Sequence, residues 1–137
     1  MSTINYFLIG IISLVVVISV IFFVVNSKSK SNEASLNYRN ITSDEARIEL
    51  EKDSSIILLD VRSKEEFEEK HIKGAILIPL GELEDRVTTE IPDKESRIFV
   101  YCRSGVRSIS ASETLVNLGY KNVYNLGGIL DWKYETE

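Results

Sequence analysis

Cys102 is the single cysteine in 137 residues, and it is followed at once by Arg103, Ser104, Gly105, Val106 and Arg107. A lone cysteine cannot form an intramolecular disulfide, a CxxC redox pair or a cysteine-based zinc site, and one histidine makes no metal cluster. What remains open to one thiol is nucleophilic chemistry, with the thiolate as the reactive form. Nearby guanidinium charge favours an anion, and Gly105 permits the tight curvature that turns several backbone N–H groups toward one point. Ionisation by itself gives little: a thiol at the free pKa of ~8.5 gains about tenfold to thirtyfold on full ionisation, and lower nucleophilicity returns part of that. The larger contribution expected of residues 102–107 is to bind an anionic reactant and to stabilise charge developing on sulfur. A cysteine in an apolar strand is more often an inert buried side chain, but no such role calls for two arginines and a glycine beside it.

The elements around this loop must place the thiol where a reagent reaches it. Arg97 to Tyr101 (RIFVY) is a continuous apolar run of the kind found in strands buried on both faces, and it delivers Cys102 to its carboxyl end. Ile56 to Asp60, Ala75 to Ile78 and Val123 to Leu126 read as further strands. Between them, Thr42 with Glu45 and Ser63 with Glu66 form capping boxes that open helices to about Glu51 and Lys70. Residues 81–89 read as a helix, as do Ser108 to Leu118, stopped by Gly119, and a last helix follows Gly127-Gly128. Strands alternating with helices predict an open, mostly parallel α/β sheet covered on both sides, with ligands at the carboxyl ends of its strands.

Charge is distributed unevenly. The first 25 residues carry none of the 16 basic or 21 acidic side chains, and residues 4–25 (INYFLIGIISLVVVISVIFFVV) are uncharged throughout. As a helix at ~1.5 Å per residue this stretch spans ~33 Å, the thickness of a bilayer core. With no basic start and no small-x-small cleavage site, it reads as a retained transmembrane anchor rather than a signal peptide. Lys28, Lys30 and Arg39 follow the span, so the positive-inside rule puts the C-terminal domain in the cytoplasm as part of a single-pass membrane protein. Residues 26–37 (NSKSKSNEASLN) read as a flexible tether, leaving 38–137 as one domain. A net charge of −5 argues against a nucleic-acid partner.

From about Tyr38 to the C-terminus the chain resembles a single-domain rhodanese, a thiosulfate sulfurtransferase-like protein. The matching segments are ITSDEA (41–46), LLDVRSKEEFEEKHIKGAILIPL (58–80), VYCRSGVRS (100–108) and LGYKNVYNLGGILDW (118–132). The resemblance implies a five-stranded, mostly parallel sheet with helices on both faces. It implies that Cys102 is a persulfide-forming nucleophile and that 102–107 are the active-site loop. It also implies that Asp60 and Arg62 lie near that loop, and that His71 and Gly74 match the family's HIxGA segment. Asp60 is read as orienting loop backbone or pairing with an arginine, Arg62 as structural or substrate-facing, and His71 as a turn element rather than the general base of a Cys-His dyad. The chemistry implied is a double displacement without metal or organic cofactor. A sulfane sulfur passes from thiosulfate, a polysulfide or a persulfide to Cys102, then to cyanide or a thiol, a thiol carrier protein included. Two other readings compete: a non-catalytic, membrane-tethered rhodanese-like binding module, and a cysteine phosphatase or arsenate reductase. The latter needs Cys-x5-Arg, whereas Ser108 stands where its arginine would be.

Overall fold

A computed structural model describes residues 16–19 and 37–137. The chain divides into the units Met1–Leu36 and Asn37–Glu137. The expected transmembrane helix over 4–25 and the tether over 26–37 lie outside the described residues, save for 16–19, which are helical with Val16, Val17 and Ile18 exposed, and Asn37. Among the described residues no helix is long and apolar enough to cross a membrane.

Asn37–Glu137 is built on five strands, β1 (Arg39–Asn40), β2 (Ile57–Asp60), β3 (Ile76–Leu77), β4 (Arg97–Cys102) and β5 (Asn122–Gly128), in the order β1-β5-β4-β2-β3. Every pairing is parallel. The most apolar run, RIFVYC, takes the central place, because a strand flanked by two others and covered on both faces has no side that tolerates a polar residue. Its alternation sorts two cores. Ile98, Val100 and Cys102 pack on one face with Leu59, Val61, Leu83, Val87, Ala111 and Leu115; Phe99 and Tyr101 pack on the other with Leu58, Ala46, Ile72 and Leu126. Helices α3 (Leu83–Glu90) and α4 (Val106–Asn117) thus cover the face toward which Cys102 points, and α1 (Ser43–Lys52) covers the other. Each fully buried aliphatic side chain is worth about 1.5–3 kcal/mol, so these two cores hold the sheet between its helices.

Both capping boxes form as their sequence pattern requires: Thr42 with Glu45 opens α1, and Ser63 with Glu66 opens α2 (Lys64–Glu69). The chain end departs from expectation. No α-helix follows Gly127-Gly128; β5 runs through both glycines, and the helix after them is a single 3-10 turn, Ile129–Asp131. A bulge is the reason. Val100 pairs with Asn125 but Tyr101 pairs with Gly127, so Leu126 is the extra residue and Gly128 arrives opposite Cys102. Gly127 takes the left-handed φ of +87° that the bulge needs, and its N–H donates to Asn125 Oδ1 at 3.1 Å.

Candidate active site

Cys102 is the last residue of β4, and α4 begins four residues later. The connection turns at Gly105, whose φ of +104° lies in the left-handed region open to glycine. That turn aims the Gly105 N–H at the thiol, where it donates to Cys102 Sγ at 3.1 Å. The N-terminus of a twelve-residue helix lies directly behind, adding the positive end of its dipole. Ser108 Oγ donates to Gly105 O at 2.9 Å and fixes the turn from below. With Ser108 fully buried in this bond, the position that a phosphatase would fill with arginine is closed to substrate.

A thiol open to reagents is the expectation that the structure corrects. Cys102 is 1% exposed, because its side chain points into the layer under α4 with Ile98 and Val100. Arg103 to Gly105 close over it, and the Leu130 N–H holds Arg103 O at 3.2 Å. The sulfur accepts from the Gly105 N–H and is shut from bulk water.

The two arginines of the loop are not equivalent. Arg103 is exposed and takes no part in the ion pairs of the described residues. Arg107 is held fork to fork by Glu66, Nη1 to Oε2 at 2.7 Å and Nη2 to Oε1 at 2.8 Å. Hydrogen bonding from Arg107 depresses the Glu66 carboxyl to about 2, and Glu66 in turn raises Arg107 above the ordinary guanidinium value. Arg107 therefore enters the site as one half of a bidentate ion pair with Glu66.

Asp60 and Arg62 form a buried pair behind the loop. Asp60 is fully buried and Arg62 is 5% exposed; Arg62 Nε and Nη2 donate to the carboxylate at 3.0 and 2.7 Å, and Nη2 also donates to Lys70 O at 2.7 Å. Asp60 pairs in register with Tyr101, the neighbour of Cys102, and burial followed by the Asp60 charge pushes the Tyr101 hydroxyl far up, leaving it a neutral acceptor for the Ile72 N–H at 3.1 Å. Removing one partner from such a pair strands a buried charge. Asp60→Ala is expected to cost about 3–5 kcal/mol, read as a lower urea midpoint with an unchanged m-value.

His71 is occupied elsewhere. Its ring stacks on Phe67 at 3.7 Å, Nδ1 meets Phe67 O at 2.8 Å and Nε2 lies 3.5 Å from Glu137 Oε1. Its backbone exchanges two hydrogen bonds with Glu137. These partners make it a clasp between the 71–74 turn and residue 137.

A cleft of about 430 Å³ opens beside the loop, lined by Arg62, Lys70 and Arg103 with Glu66 and Glu69 on its polar side and Ile129, Leu130 and Trp132 on its apolar side. Among the described residues no cluster of acidic, histidine and cysteine side chains could hold a metal ion. Sequence reading passed over two residues that shape this site. Glu66 was visible as a helix cap, but its pairing with a residue 41 positions away was not. Gly128 looked like a helix start. A Cβ there would stand 2.4 Å from Arg103 O and 2.8 Å from Ser104 Cα, so only glycine lets the loop lie on β5.

A family model described as a rhodanese-like domain matches residues 42–135. The thiosulfate sulfurtransferase PspE of Escherichia coli is 44% identical over 73 residues, covering 53% of this chain and 70% of that protein. The thiosulfate sulfurtransferase GlpE of Coxiella burnetii is 40% identical over 86 residues, 62% of this chain and 78% of that one. Among solved structures, a rhodanese with anions from E. coli aligns at a TM-score of 0.57 and 39% identity, covering 60% of this chain and 96% of that chain.

Proposed function

This chain belongs to the rhodanese family and is a rhodanese-type sulfurtransferase, and from that premise we propose that Cys102 carries sulfur as a persulfide. The Cys102 thiolate attacks the outer sulfur of thiosulfate, the S–S bond of the donor breaks, and its electron pair leaves with sulfite. A thiolate or cyanide acceptor then attacks the outer sulfur of the persulfide, releasing thiocyanate or a new persulfide and returning the Cys102 thiolate. Polysulfides and low-molecular-weight persulfides are donors of the same kind, and a thiol carrier protein is an acceptor of the same kind. No oxidant, metal or organic cofactor enters the balance. The observation that carries this reading is the Gly105 N–H aimed at Sγ at 3.1 Å from a left-handed turn at the head of α4, a donor placed to receive charge on sulfur in either half-reaction.

Mass spectrometry of the intact protein after thiosulfate treatment tests it. One added sulfur on Cys102, removed by cyanide, is the expected result; an unmodified thiol would overturn it. The burial of Cys102 favours one rival, a non-catalytic binding module, and the same unmodified thiol would be its signature.

Residues 4–25 form the membrane span in this reading, with the Asn37–Glu137 unit on the cytoplasmic side. The full chain is expected to pellet with membranes, to resist alkaline carbonate and to dissolve in detergent. Protease added to intact cells is expected to spare Asn37–Glu137. Release by carbonate would refute the span, and cleavage from outside would refute the orientation.

A further inference from the structure

Glu66 serves two partners with one carboxylate. Oε2 accepts from the Ser63 N–H at 2.9 Å, which closes the capping box of α2, and the same group grips both terminal nitrogens of Arg107. The cap needs only an amide or carboxylate oxygen, which glutamine also supplies, whereas the fork-to-fork grip on a guanidinium needs a carboxylate. Arg107 is the second residue of α4, two positions after the Gly105 amide that meets the thiol.

We propose that Glu66 is a positioning residue for sulfur transfer. By fixing Arg107 it fixes the first turn of α4 and the aim of the Gly105 N–H, and it masks a guanidinium that would otherwise add to the binding of a doubly charged donor. Recognition of the donor then falls to the loop amides and to Arg103, and release of sulfite is not slowed by a second full positive charge. This inference rests on the sulfur-transfer reading given above.

Its test uses the full chain in detergent micelles, with thiosulfate as donor and dithiothreitol as acceptor. Glu66→Gln keeps the cap and loosens the grip, so kcat is expected to fall about tenfold while KM for thiosulfate falls about threefold as Arg107 is unmasked. Ser63→Ala removes a cap and leaves the grip; it is expected to lower the melting temperature with both constants within about twofold of wild type. Should Glu66→Gln fail to fold, Arg107→Gln decides the matter: the same loss in kcat with KM raised or unchanged supports the proposal, because no charge is unmasked. A Glu66→Gln protein with wild-type kcat, or with lower kcat at constant KM, would overturn it, as would an Arg107→Gln protein with wild-type kcat. Wild-type protein that takes up no sulfur from thiosulfate would instead overturn the persulfide reading itself.

Discussion

Replacing Cys102 by serine is expected to abolish sulfur transfer, by about a thousandfold or more, while leaving the domain folded. Serine is close in shape, and its hydroxyl can accept the Gly105 N–H as the thiol does. Placing that hydroxyl in the layer with Ile98 and Val100 is expected to cost only about 1 kcal/mol, since its hydrogen bond is supplied. An alkoxide forms at far higher pH than a thiolate, and an oxygen cannot hold a sulfane sulfur as a persulfide. The measurement is thiocyanate formation from thiosulfate and cyanide, run beside a thermal melt. Retained turnover with an unaltered melt would remove Cys102 from the mechanism, and with it the double displacement.

The second large effect is expected from a residue that touches no substrate. Gly128→Ala puts a methyl group 2.4 Å from Arg103 O and 2.9 Å from Ser104 C, where nothing but backbone can yield. Relief requires either β5 or the 103–105 segment to move by an ångström or so. On the β5 side the shift breaks the pairing with Cys102; on the loop side it swings the Gly105 amide off the thiol. Overpacking of this kind costs about 1–3 kcal/mol in stability, and an ångström of misplacement at a reacting centre costs about a hundredfold in rate. Activity is therefore expected to fall much further than stability. Gly81→Ala, with open space around its Cβ, serves as the control and is expected to leave turnover near wild type. Equal losses in the two variants would show that crowding at the loop is not the cause.

Local signals in the sequence carried the local structure. Thr42/Glu45 and Ser63/Glu66 mark two helix starts because a capping box is complete within four residues, and RIFVYC marks a central strand because burial on both faces leaves no polar position. The parallel five-stranded sheet follows from alternating strands and helices together with the rhodanese resemblance. What escaped depended on chain segments meeting in space. The grip of Glu66 on Arg107 joins α2 to α4 across 41 residues, and Glu66 alone looks like any capping residue. Gly127-Gly128 carries two meanings, helix punctuation and bulged strand, and only the register of β5 on β4 selects the second. The closure over Cys102 was likewise invisible, because it depends on Arg103 meeting Leu130 from beyond β5.

The outermost strands, β1 and β3, contribute two residues each to the ladder. A row of unpaired amides that short gives a second molecule almost nothing to zip onto, and Pro79 follows soon after β3 on one side of the sheet. Crowding many copies together is thus not expected to seed strand-swapped dimers or fibrils, however apolar the central ladder is.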